Sequence, residues 1–174
     1  MTMPGCHVRP ATPSDEAAVT GVLSRSYPSL LAAHYDAALL ARALPLMARA
    51  NPKLLASGTY YVACDLDGHV IGCGGWTPEC PGTGEVESGL GHLRHFGGDP
   101  GTIRRGVGAR LLAHTISEAE VRGIRDLECY ATLSAEAFYR RAGFVTLRPI
   151  DVDMGALKFP SLLMMRRGEG NTGS

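Results

Sequence analysis

Residues 97–112 read Gly97-Gly98-Asp99-Pro100-Gly101-Thr102-Ile103-Arg104-Arg105-Gly106-Val107-Gly108-Ala109-Arg110-Leu111-Leu112. An apolar, strand-like run from Leu90 to Phe96 leads into this stretch, and an amphipathic helical pattern follows it. A strand that turns into a helix through glycines gathers unpaired backbone N–H groups and the positive end of a helix dipole in one small volume. That arrangement suits a pyrophosphate. Gly106 and Gly108 let the backbone approach an anion with no Cβ in the way, and Arg104 and Arg105 add charge. Taken alone, the stretch reads equally well as a solvated loop before an ordinary helix.

Outward from this turn, the pattern is one of alternating strands and helices. Towards the N-terminus, His7 to Pro10 reads as a short strand, and Thr12-Pro13-Ser14-Asp15 opens a helix with a cap, an early proline and an acid at the third position. Val19, Val22 and Leu23 share one face of that helix, which Pro28 should interrupt. A second helical region from Ser29 to Arg49 should break before Pro45. Thr59–Cys64 and Val70–Trp76 flank Asp65-Leu66-Asp67-Gly68 and read as a hairpin. Pro78 to Gly89 reads as a loop. Towards the C-terminus, the helix from about Arg105 to Arg122 turns Val107, Leu111, Leu112, Ile116 and Ala119 inward and stops at Gly123. Asp126–Thr132 alternates as a strand, Ser134–Arg141 forms a short helix ended by Gly143, and Phe144–Leu147 and Leu157–Arg166 close the sheet. Residues 168–174 read as a disordered tail.

Bulk composition narrows the function classes. The 174 residues fit one domain, and 45% hydrophobic with 20% charged residues is ordinary for a globular protein. Lys+Arg and Asp+Glu are balanced at 17 each, so no global field draws nucleic acid or an anionic membrane. No apolar run is long enough to span a bilayer, and Met1–Val8 carries no signal-peptide core. The five cysteines (Cys6, Cys64, Cys73, Cys80 and Cys129) form no CxxC pair. Reduced thiols in a cytoplasm fit them better than a disulfide framework or a zinc site, and no metal is expected. There is no GxxxxGK[ST], no third glycine after Gly106-x-Gly108, and no GxSxG elbow.

A second segment decides between the readings. Ser134-Ala135-Glu136-Ala137-Phe138-Tyr139-Arg140-Arg141-Ala142-Gly143-Phe144 places Phe-Tyr on a short helix and Gly-Phe at the start of a strand. It resembles motif B of the GNAT N-acetyltransferases, and the Arg104–Leu112 turn resembles their motif A. Val8–Thr12 with Asp15 is similar to the opening strand and helix of that family, and Tyr60–Gly75 to its hairpin. Order and spacing agree from about His7 to Arg166, so residues 7–167 resemble an N-acetyltransferase domain.

The resemblance implies the GNAT (acyl-CoA N-acyltransferase) fold. That is an α/β domain whose mixed, mostly antiparallel sheet contains a splayed parallel strand pair and is flanked by helices. It implies acetyl-CoA as co-substrate, bound where Leu90–Phe96 and Asp126–Thr132 part. The backbone of Phe96, Gly97 and Gly98 would meet the pantetheine arm. The amides of Arg105, Gly106, Val107, Gly108, Ala109 and Arg110 would hold the pyrophosphate, with Arg104 helping in place of the Gln or Arg usual where this chain has Ile103. Ser134 and Tyr139 would sit beside the thioester, and Tyr139, with an ordinary pKa near 10, could protonate the leaving thiolate. His92 would be the base, with His95, Glu87 or a water chain as rivals. The acceptor would be a small-molecule or peptide amine; Arg94 could pair with a substrate carboxylate or with a neighbouring acid, and Trp76 could line the acceptor site or sit in the core. A homodimer is compatible with the resemblance. The competing readings are a non-catalytic GNAT-like module that binds CoA as a sensor or interaction domain, and, resting on the Gly-rich turn alone, a nucleotide-binding regulatory domain.

Overall fold

The computed structural model describes residues 5–169, apart from the side chains of Ile103 and Arg104. Among the described residues, seven strands form one sheet: β1 (His7–Pro10), β2 (Tyr60–Cys64), β3 (Val70–Thr77), β4 (Leu90–Gly98), β5 (Asp126–Thr132), β6 (Val145–Met154) and β7 (Leu157–Arg167). Their spatial order is β1-β2-β3-β4-β5-β7-β6, and only β4 and β5 run parallel. This is the mixed sheet expected from the sequence. The helices are α1 (Glu16–Leu31), α2 (Ala37–Met47), α3 (Pro52–Leu55), α4 (Val107–Val121) and α5 (Glu136–Arg141).

Two hydrophobic cores lie on opposite faces of the sheet, and β2 shows how one strand feeds both. Tyr60, Val62 and Cys64 join the core under α1 and α2, whereas Tyr61 and Ala63 join the one under α4 and α5. Successive strand side chains point to opposite faces, so a strand buried on both sides reads as a continuous apolar run. The inner stripe of α4 is buried as its periodicity required, with Val107, Leu111, Leu112, Ile116 and Ala119 all at 9% exposure or less. At the other end, Arg9 grips Asp15 with two hydrogen bonds of 2.9 Å, and the same carboxylate accepts the Thr12 N–H at 2.8 Å, fixing the turn into α1.

Three boundaries depart from the sequence reading. Pro28 lies inside α1 and Pro45 inside α2. Both are exposed, so the carbonyl each leaves without a helix partner is close to water, while Val22, Leu23, Ser26, Tyr27 and Leu31 clamp the other face of α1. Packing outweighs the local breaker. The last difference is β6, which runs on to Met154 instead of ending at Leu147. Pro149 is tolerated there because β6 is an edge strand, where a missing N–H need not cost a ladder bond. Of the anticipated tail, Gly168 donates its N–H to Asp126 at 3.2 Å, and residues 170–174 lie outside the described residues.

Candidate active site

β4 and β5 pair through only three residue pairs: Leu90 with Asp126, Gly91 with Leu127, and His92 with Glu128. Beyond His92 the strands part. β5 stays straight because β7 pairs with it along its whole length, from Asp126–Arg167 to Thr132–Ser161. β4 is the strand that bends. Its register with β3 slips between Cys73 and Gly75, so His95 and Phe96 together oppose Gly74. His95 takes up the extra residue with φ of +48°, a left-handed conformation costly to a non-glycine residue. The Tyr60 hydroxyl donates to the His95 carbonyl at 2.7 Å and holds the bulge. Gly74 makes room for it: a Cβ there would come within 2.5 Å of the Phe96 ring.

A cavity of about 210 Å³ lies in the gap between the strands, lined among others by Phe96, His95, Cys129, Tyr130 and Tyr139. The Tyr27 hydroxyl of α1 donates to the Phe96 carbonyl at 3.2 Å, and Ser26 Oγ accepts the Gly98 N–H at 3.3 Å. Two backbone groups anticipated as pantetheine partners therefore already have intramolecular ones. Gly97 faces the other way, pairing with Cys73 of β3.

A glycine turn leads from β4 into α4, with one addition to the sequence pattern. A 3-10 turn spans Pro100–Arg105, and Gly106 follows at φ +76° as the N-cap of α4. Nothing lies within 4 Å of where a Gly106 Cβ would stand, so the glycine is required by its backbone angle rather than by crowding. The first intrahelical bond runs from Arg110 N–H to Gly106 C=O at 3.0 Å, which leaves the amides of Val107, Gly108 and Ala109 at the open first turn of the helix. Arg105, Ala109 and Arg110 are exposed, while Val107 is buried. Gly108 packs against Phe138, to which a Cβ would come within 3.2 Å. That contact joins the turn to α5 and so to Tyr139. The side chain of Arg104 lies outside the described residues.

Tyr139 is buried in an aromatic cluster, with ring centroids 5.1 Å from Phe138, 5.6 Å from Phe144 and 6.2 Å from Phe96. Burial pushes its hydroxyl well above the ordinary value of 10, and the neighbouring Cys129 thiol pushes the same way. Ser134 lies in the turn after β5, where its hydroxyl shares a 3.0 Å hydrogen bond with His34 Nδ1.

His92 sits at the paired end of β4, away from the gap and outside the lining of its cavity. It is 4% exposed, with Nδ1 3.5 Å from a Glu128 oxygen. His95 does line the gap, but burial holds its pKa down to about 4, so it is neutral and weakly basic near pH 7. Glu87 is exposed on the β3–β4 loop. A second cavity of about 690 Å³ opens beside that loop, lined among others by Trp76, Thr77, Glu79, Cys80 and Arg94. Arg94 and Pro81 line both cavities, so the two adjoin. Arg94 donates to the Thr77 hydroxyl at 3.0 Å.

Residues 56–146, just over half of the chain, match the acetyltransferase (GNAT) domain family. The chain belongs to that family. Solved GNAT structures share its fold over nearly its full length. A GCN5-related N-acetyltransferase from Rhodopseudomonas palustris is 22% identical with a TM-score of 0.72, over 96% of this chain and 98% of that one. The PaiA N-acetyltransferase from Thermoplasma acidophilum, solved in complex with coenzyme A, is 16% identical with a TM-score of 0.69, over 96% and 99%. N-acetylglutamate synthase from Neisseria gonorrhoeae, complexed with coenzyme A and L-arginine, is 18% identical with a TM-score of 0.59, over 97% of this chain and 34% of that one. A comparison with curated proteins finds no match to the sequence.

Within this GNAT architecture, several residues of the cleft escaped the sequence reading. Ser26 and Tyr27 reach β4 across 72 and 69 positions, a separation no local pattern encodes. Tyr35 falls in the Ser29–Arg49 stretch, whose apolar and Tyr side chains read from sequence as pocket lining or as packing; its hydroxyl donates to Pro160 C=O at 2.7 Å and accepts Leu133 N–H at 2.8 Å, tying the turn that holds Ser134 to β7. One signal was available: α1 and the segment after it carry two tyrosines whose polar tips must find partners if the rings are buried.

Proposed function

We propose that the protein transfers an acetyl group from acetyl-CoA to the primary amine of a small molecule or peptide, by direct attack while both reactants are bound. Residues 7–167 form the transferase domain on this reading, and the five free cysteines suit a reducing, cytoplasmic setting. The observation that carries the proposal is the parting of β4 and β5 after three pairs, with Tyr139 lining the gap and the Gly106 turn joined to it through Gly108 and Phe138.

The residues fit acetyl-CoA in three respects. The first-turn amides of Val107, Gly108 and Ala109, with Arg105 and Arg110 close by, suit a pyrophosphate. The gap between the strands admits a narrow chain, whose amides would compete with Tyr27 and Ser26 for Phe96 and Gly98. Its far end meets the larger cavity, from which an amine can arrive. When bound, the co-substrate supplies an activated thioester carbonyl.

The chain's own groups then divide the work. Holding amine and thioester together removes several kcal/mol of the barrier. A backbone N–H at the bent end of β4 stabilises the charge that develops on the carbonyl oxygen. Water in the larger cavity, with Glu79 on its wall, takes the amine proton, because neutral His95 is a weak base and His92 lies outside the gap. The nitrogen–carbon bond forms and the carbon–sulfur bond breaks. Tyr139 meets the departing sulfur with a hydroxyl that stays protonated at every working pH. A CoA thiol has a pKa near 8.5, so full proton transfer from this tyrosine is uphill, and its main contribution is a hydrogen bond to the thiolate. Arg94, at the junction of the cavities, favours acceptors that also carry a carboxylate.

The test is release of free thiol from acetyl-CoA across an amine panel, with the acetylated product identified by mass spectrometry. Turnover with at least one amine class is expected. Gly108→Glu, which forces a side chain against Phe138 and a negative charge into the turn, should abolish CoA binding in calorimetry while the chain stays folded. CoA binding without turnover on any amine would make the protein a sensor or interaction module instead.

A further inference from the structure

At the paired end of β4 and β5, opposite in character to the gap, three side chains from three different segments converge. Cys80 comes from the β3–β4 loop, His92 from β4 and Glu128 from β5. Their candidate ligand atoms all lie within 4.8 Å of one another. His92 is 4% exposed, and its Nδ1 is shut off from solvent with no hydrogen-bond partner among the described residues. A buried imidazole nitrogen without a partner is costly, and native structures rarely leave one unexplained. Glu128 Oε1 stands 3.5 Å from that nitrogen, beyond ordinary hydrogen-bond length. An imidazole nitrogen and a carboxylate oxygen on one tetrahedral zinc ion, at bonds of about 2.0–2.2 Å, stand about 3.3–3.5 Å apart. The observed separation fits two ligands sharing an ion.

We propose that Cys80, His92 and Glu128 form a zinc site that pins the β3–β4 loop to the paired base of β4 and β5. Thiolate, imidazole and carboxylate are the donor types that zinc accepts, and a thiolate disfavours magnesium and calcium. The two negative ligands balance the charge of Zn²⁺. The fourth position falls to water from the larger cavity, which Cys80 lines, or to the Tyr130 hydroxyl, 3.4 Å from the Cys80 sulfur. The pinned loop includes Glu79 and Pro81, so metal occupancy would set one wall of the acceptor cavity. The site runs against the expectation of no metal, which rested on the lack of a CxxC pair. Here the three ligands are 12 and 36 positions apart in sequence, a spacing only the fold brings together.

Untagged protein, freed of metal with a chelator and titrated with Co²⁺ and then Zn²⁺, tests this without reference to acetyl transfer. The expected result is one equivalent of Co²⁺ bound with a thiolate-to-cobalt charge-transfer band, displaced by Zn²⁺, and a raised Tm with Zn²⁺. The near-isosteric Cys80→Ser should lose the band, and Glu128→Gln should weaken binding at least tenfold while its metal-free Tm stays near that of the parent. No stoichiometric binding would overturn the proposal. So would Co²⁺ binding without a thiolate band, the result expected of an ion held by the Asp65, Asp67 and His69 group instead. Persistence of the band in Cys80→Ser would overturn it as well.

Discussion

The two ends of the β4–β5 pair are built from opposite materials. At the paired end, His92 lies beside Glu128 and Cys80, and the strands keep register. At the parted end, Phe96, His95, Cys129 and Tyr139 surround a cavity, and β4 and β5 no longer pair with each other. The difference originates in the neighbours rather than in the pair itself. β7 holds β5 through all seven of its residues, whereas β3 holds β4 with a slip at Gly74. One strand is kept straight and the other is bent away by a single extra residue. A cleft can thus be opened in a sheet without breaking it, because only one edge of β4 gives up its partner.

The largest expected effect breaks the chemistry of the parted end. Tyr139→Phe keeps the ring among Phe96, Phe138 and Phe144 and removes the hydroxyl, so Tm should change little. General-acid assistance is typically worth about 10²–10⁴-fold. With the Tyr139 pKa raised by burial, we expect kcat to fall by about 10²-fold while CoA affinity holds within a few-fold. Steady-state kinetics at saturating acetyl-CoA checks this, and an unchanged kcat would leave Tyr139 as a wall of the cleft.

The bulge is open to a pH test. His95 is held at a pKa of about 4, against about 6.5 in the unfolded chain, so the unfolded state takes up its proton first. Stability should therefore fall as pH drops from about 6.5 towards 4, by at most about 3 kcal/mol from this group. His95→Asn keeps a residue tolerant of the left-handed backbone and should flatten that part of the stability curve in denaturant titrations. A curve of unaltered slope would assign the acid sensitivity to other groups.

These two residues also show where the sequence was legible and where it was not. The glycine turn, Phe138-Tyr139 and the inner stripe of α4 follow from local patterns, because each depends on neighbours within a turn or two. The bent end of β4 does not. It depends on Gly74 and Tyr60, more than twenty positions away, and a strand pattern carries no mark of the partner it slips against. The extent of β6 was missed for a related reason, since Pro149 argues against a strand until the edge position is known. His92 looked like a candidate base because it lies on the right strand, yet only the pairing register shows that it stops short of the gap.

A smaller effect sharpens the side of the glycine turn. Gly106→Ala meets no steric neighbour, so its whole cost is the left-handed backbone at φ +76°. That cost is about 1–2 kcal/mol. Tm should fall modestly, and CoA affinity by calorimetry should weaken about tenfold as the first turn of α4 relaxes. Loss of stability with no loss of affinity would separate the turn from the ligand.

The most direct measurement is residue-resolved amide NMR of the protein with and without acetyl-CoA. Binding in the parted cleft predicts large shifts for the amides of Phe96, Gly98 and Val107–Arg110, where Gly98 would exchange Ser26 for the ligand. The amides of Gly91, Leu127 and Glu128, at the paired end, should barely move. Shifts confined to the paired end, or no response from Gly98 and Val107–Arg110 at saturating acetyl-CoA, would contradict the account.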